Sequence, residues 1–144
     1  MRVVADTNTV ISGLFWHGSP RQVLDAARNN LITLYTSDEL LAELRDVLSR
    51  TKFARLLAQH STSSEELAAE YAALAHTITS APIPPTVVAD PDDDAVLACA
   101  VAAQAEAIVS GDDHLLSLKG FQGILILTAN ELLGRIIPPP AVTP

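Results

Sequence analysis

Four short apolar runs constrain this chain more than any other feature: RVVA (2–5), LITLYT (31–36), AIV (107–109) and ILIL (124–127). Each is too short for an amphipathic helix, and its near-continuous apolar character fits a strand buried on both faces. HTITS (76–80) reads as a further, short edge strand. The stretches between carry helical signals. Ser19 caps a helix with Pro20 at its first position, running to about residue 29. Ser37 opens a helix over 38–49 whose Leu40, Leu41, Leu44, Val47 and Leu48 share one face. A short helix is expected at 52–58. Ser63 stands three residues before Glu66, as in a capping box, and opens a helix over 64–75. Further helices are expected over 91–104, 113–118 and 129–136. DTNTVISG (6–13) reads as a polar turn continuing as loop to Ser19. Strands alternating with helices argue an α/β fold with a mostly parallel sheet.

A length of 144 residues suggests one domain with a real core. With 49% hydrophobic but only 4% aromatic residues, that core must be built from Leu, Val, Ile and Ala. The expected division is a domain over 1–136 and a Pro-rich tail over 137–144, because PPPAVTP cannot join a helix or a central strand. APIPPT (81–86) is a stiff connector. No apolar run approaches the roughly 20 residues that span a membrane, and MRVVADTN carries no signal-peptide pattern. The lone Cys99 excludes an internal disulfide and reads as a buried small residue. The expected location is cytoplasmic.

In open parallel sheets, ligands bind beyond the carboxyl ends of the strands. Two strands here deliver an aspartate at that end, VVA to Asp6 and IVSG to Asp112. A third source is the segment DPDDDAVLACA, where Asp90 is a natural cap and Pro91 a natural first residue. At roughly 100° per residue, Val96, Leu97, Ala100 and Val101 all fall within roughly 80° of Asp93. Asp93 therefore points along the buried face, with Asp92 and Asp94 on its flanks. An inward ionised carboxylate is costly unless paired or bound to a cation; the alternative is a capping-box partner reaching back to residue 90. Glu43, at the border of the apolar face of helix 38–49, is a fourth candidate, although a solvated helix face also explains it.

Oxygen ligands from separate elements suit Mg²⁺ or Mn²⁺. His17, His60, His76 and His114 are scattered, and no HExxH, paired CxxC, Walker A, GxSxG or GxGxxG motif occurs. An acidic site without a nucleotide cradle favours metal-assisted hydrolysis of a phosphodiester. The formal net charge of −8 argues against a general nucleic-acid coat protein. It does not exclude a nuclease whose acids are gathered at one site. Arg45, Arg50, Lys52 and Arg55 form a local basic cluster, either a solvated helix end or a contact for a phosphate backbone.

Three segments in order, VVADTNTVISG, TSDELLAELRDVLSRTKF and DPDDDAVLACAVAAQAEAIVSGDDHLL, resemble a PIN-domain protein of the group described as toxins of bacterial toxin–antitoxin pairs, the VapC-like ribonucleases. The resemblance spans about residues 2 to 134. It implies a three-layer fold with about five mostly parallel strands flanked by helices, and an acidic site that takes Mg²⁺ or Mn²⁺. It also implies single-strand-directed ribonuclease activity, an antitoxin partner and a homodimer. The motif positions carry over as Asp6, Glu43, Asp93 and Asp112, with Asp6, Asp93 and Asp112 as metal ligands. Ser110 matches the small hydroxyl position before the last Asp, and Asn8 the polar residue of the first motif. Many relatives carry an acid two residues after the last motif Asp; here His114 stands there, either a surface residue or a neutral ligand or RNA contact.

Two other readings compete. DTNT superficially resembles the aspartyl-phosphate start of a phosphatase, with Asp6 as nucleophile, but Asn8 stands where a second Asp would be needed. The other is a PIN-like fold retained as a binding module, toward which the net charge and His114 lean. Phe15 and Trp16, expected in the first loop, would serve an interface, a substrate base or the core.

Overall fold

The computed structural model describes residues 1–80, 82–83 and 91–136, the side chains of 91 and 92 excepted. Six strands, β1 (Arg2–Ala5), β2 (Thr33–Ser37), β3 (His76–Ile78), β4 (Ala107–Val109), β5 (Gly120–Phe121) and β6 (Ile124–Leu127), form one sheet. Their order is β3-β2-β1-β4-β6-β5. All neighbours pair in parallel except β5 and β6. The helices are α1 (Thr7–Phe15), α2 (Ser19–Arg28), α3 (Asp38–Leu48), α4 (Ala54–Gln59), α5 (Ser64–Leu74), α6 (Pro91–Ala103), α7 (Asp113–Leu116) and α8 (Ala129–Ile136), with a 3₁₀ turn at Thr51–Phe53. The protein is thus a three-layer α/β fold.

The apolar strands are continuous because successive residues feed opposite faces. Val3, Ala5, Leu34, Ala107, Val109 and Leu127 face one core, which α1, α2, α3, α5 and α8 complete. Val4, Ile108, Ile124 and Ile126 face the other, filled by Val96, Leu97, Cys99 and Ala100 of α6 and by Leu115 of α7. A core built this way needs few aromatic rings.

Most expected elements stand where the periodicity put them, and Ser37 and Ser63 cap α3 and α5 through the amides of Leu40 and Glu66. Three expectations are corrected. The stretch 6–13 is not a turn: Asp6 caps α1, and Val10, Ile11 and Phe15 bury one side of it. The polar letters of DTNT masked this helical spacing. Phe15 accordingly lies in the core, stacked on Phe53 with ring centroids 6.1 Å apart, whereas Trp16 is exposed. The cap of α2 is Gly18, at φ 134°, one residue before Ser19. The short β5 was also unforeseen; it returns through Gln122 and Gly123, both at positive φ, the pairing of a tight hairpin turn. The expected Asp90 cap, the direction of Asp92, most of the 81–86 connector and the 137–144 tail lie outside the described residues.

Candidate active site

The two central strands bring the first two acids together. β1 and β4 are neighbours in register Ala5 to Val109, and the Asp6 amide donates to the Val109 carbonyl at 3.1 Å. Asp6 and Ser110 therefore leave the carboxyl edge of the sheet side by side. Oδ1 of Asp6 accepts from the Thr9 amide at 2.9 Å and Oδ2 from the Ser110 hydroxyl at 2.5 Å. The same Ser110 Oγ accepts from the Asp112 amide at 2.9 Å. Oδ1 of Asp112 in turn caps α7, accepting from the amides of His114 at 2.7 Å and Leu115 at 3.3 Å. Both strand-end aspartates are helix caps, and that role fixes their carboxylates at the mouth of the sheet.

The remaining acids come from helices. α6 carries Asp93 in its first turn, and the buried positions of Val96, Leu97 and Ala100 confirm the expected phase. Asp6 and Asp93 are each 6% exposed. Glu43 is half-buried on α3. A pocket of about 40 Å³ is lined by Asp6, Glu43, Asp93 and Asp112 together with Thr7 and Asn8. The four expected acids thus share one cavity, although they lie far apart in the chain. Tyr71 of α5 is buried in a separate small cavity that shares Thr7 with this pocket, and its hydroxyl makes no hydrogen bond among the described residues. Burial, then the neighbouring Cys99 and Asp6, push its ionisation well above the ordinary tyrosine range.

The donor chemistry of this pocket fits a hard divalent cation: carboxylates, a hydroxyl and an amide, with no thiol or imidazole among the described lining residues. As the side chains stand, no group of three or more acidic, His or Cys side chains among the described residues is arranged to hold a metal ion. The acids converge on one pocket without forming a closed coordination sphere. The capping bonds of Asp6 and Asp112 explain part of this, since they turn oxygens toward backbone amides.

A family profile described as PIN domain matches residues 2–114. The chain belongs to the PIN-domain family. A VapBC2 chain from Rickettsia felis, crystallised bound to a DNA fragment from its promoter, is similar in fold to this PIN-domain protein. The TM-score is 0.58 and the sequence identity 16%, over 88% of this chain and 97% of that one. No functionally curated protein matches it.

Within this PIN domain the other expected residues divide. Asn8 lines the acid pocket, and Ser110 holds Asp6 from beside it. His114 is exposed and is not among the pocket's described lining residues. Arg45, Arg50, Lys52 and Arg55 are exposed on α3 and the segment after it, and none lines the pocket. Arg50 pairs with Asp46 at 3.5 Å, and Lys52 lies 5.1 Å from the centre of the Phe53 ring. A larger cavity of about 540 Å³ adjoins the acids and shares Asn8 and Asp112 with their pocket. Its Ser12, Thr128 and Asn130 escaped the sequence reading. The available signal was Thr128 three residues before Glu131, which forms a reciprocal capping box.

Proposed function

We propose that this PIN-domain protein is a metal-dependent endoribonuclease and the toxin of a toxin–antitoxin pair. The observation that carries this reading is the pocket lined by Asp6, Glu43, Asp93 and Asp112 at the carboxyl edge of the parallel sheet. Asp6, Asp93 and Asp112 are the residues that would hold Mg²⁺ or Mn²⁺, and Glu43 completes the acidic wall. When bound, such a cation supplies Lewis-acid polarisation of a phosphoryl oxygen and a water ionised at neutral pH. Ser110 keeps Asp6 aimed, and the Asp112 cap ties α7 to the same point, so two carboxylates are oriented before substrate arrives. Arg45, Arg50, Lys52 and Arg55 would guide the backbone of a single-stranded RNA toward the acids. The fold likeness to a VapBC2 chain supports an antitoxin as partner. A homodimer and a cytoplasmic location belong to the same reading; no helix among the described residues is long and apolar enough to cross a membrane. The test is cleavage of single-stranded RNA by the purified protein in Mn²⁺, lost in Asp6→Asn.

A second reading is a PIN-fold module that binds RNA or protein and cleaves weakly or not at all. The observation favouring it is the formal net charge of −8, together with His114 standing two residues after Asp112 where an acid would extend the site. Titration calorimetry with Mn²⁺ separates the two: no binding at millimolar metal favours the module.

A further inference from the structure

The acid pocket, at about 40 Å³, is far too small for a nucleotide. The cavity beside it, at about 540 Å³, falls in the range of small-molecule sites. The two are continuous, because Asn8 and Asp112 line both. A group seated in the larger cavity is therefore held next to whatever reacts at the acids. Asp112 and Asp113 give one side of its wall negative charge, and the rest of its polar lining is neutral: Asn8 and Ser12 from α1, Ser110 after β4, and Thr128 and Asn130 beside and in α8. No Lys or Arg lines it among the described residues, so a phosphate finds no charge partner there. Among the described residues no aromatic ring lines it, so none of them holds a base by stacking. What remains is recognition by edges. Two carboxamides present adjacent donors and acceptors, the pattern that pairs with adenine, and the hydroxyls suit ribose. Asn130 stands in the first turn of α8, with Ser19 Oγ at 3.4 Å from its Oδ1.

We propose that this cavity is a nucleoside subsite for the nucleotide next to the scissile phosphate, and that Asn130 selects its base, adenine best. The proposal rests on the ribonuclease reading above. Asn130 is exposed and stands outside the acid pocket, so its replacement leaves the acids intact.

The experiment incubates the full chain with Mn²⁺ and a pool of short single-stranded RNAs randomised around the cut, and sequences the products. Wild type is expected to prefer adenine at one position flanking the cut, by roughly ten- to a hundredfold over other bases. Asn130→Ala and Asn130→Asp are expected to keep cleaving while that preference collapses to within about threefold. Melting curves that match wild type show that both variants fold. Cleavage with an unchanged preference in both variants, or a wild type without preference at either flank, overturns the subsite and leaves the ribonuclease reading standing. A wild type that cleaves no RNA in Mn²⁺ overturns the ribonuclease reading and the subsite with it.

Discussion

The hydroxyl of Ser110 donates to Oδ2 of Asp6 at 2.5 Å, joining two residues that are 104 positions apart in the chain. Ser110 is 1% exposed and accepts from the Asp112 amide in the same arrangement. One small side chain thus links the ends of the two central strands and aims the first acid. Ser110→Ala leaves a buried carboxylate oxygen and a backbone amide without this partner. The expected cost is about 1–3 kcal/mol in urea unfolding. Nuclease activity is expected to fall by about tenfold or more, because Asp6 is no longer held. Ser110→Thr keeps the hydroxyl and should retain more of both.

The acid pocket makes metal binding visible in stability. Four carboxylates around about 40 Å³ repel one another until a cation joins them. A ligand at a hundred times its Kd stabilises the folded state by about 2.7 kcal/mol, and for a chain of this size that is a rise on the order of 5–10 °C in Tm. Mn²⁺ should raise the wild-type Tm by this order. Asp93→Asn should lose most of the rise while folding normally without metal. Equal rises in both proteins would remove Asp93 from the ligand set.

Alkaline unfolding has a defined window. Burial pushes the Cys99 thiol up to about 12; a hydrogen bond from Ser37 opposes this and the Glu39 charge adds to it. The folded chain therefore holds the proton after the unfolded chain has released it, near pH 9. A raised folded pKa contributes stability that is fully present below the unfolded value and is lost as pH rises toward the folded one. Urea midpoints should decline from pH 9 toward pH 12. The part due to Cys99 is on the order of 2–4 kcal/mol across that window. Cys99→Ala should give a shallower decline from a lower starting stability, and Tyr71, shifted in the same direction, supplies the remainder.

Two glycines predict opposite outcomes for one substitution. A Cβ on Gly13 would stand 2.7 Å from Leu24 Cδ1 and 2.9 Å from the Pro20 carbonyl, where α1 and α2 cross. Gly13→Ala is expected to destabilise by about 1–3 kcal/mol despite the better helix former. Gly134, in α8, meets nothing within 4 Å. Gly134→Ala should stabilise by about 0.5–1 kcal/mol. Paired thermal melts of the two variants check the sign of each.

The parallel sheet was legible because strands buried on both faces carry no polar letter, as VVA and AIV show. Asp93 was legible because helical phase is a rigid rule, and its burial with Val96, Leu97 and Ala100 follows it. α1 was not legible: its cap and first turn, DTNT, have the composition of a loop, and only burial of Val10, Ile11 and Phe15 against the other elements decides for a helix. β5 is two residues long, below any periodicity. The Ser110 link and the cavity at Asn130 depend on which strands are neighbours, which local sequence does not carry. The basic cluster was legible as charge, but its place outside the acid pocket follows from the path of the chain after α3.

In the proposed function, the four acids are what cuts RNA. The most direct measurement is cleavage of a single-stranded RNA by the purified chain in Mn²⁺, compared with Asp6→Asn and Asp93→Asn proteins that melt cooperatively. Wild type is expected to cleave, and each variant to lose at least about a hundredfold of that activity. Undiminished cleavage by both variants, or none by wild type, would contradict that function.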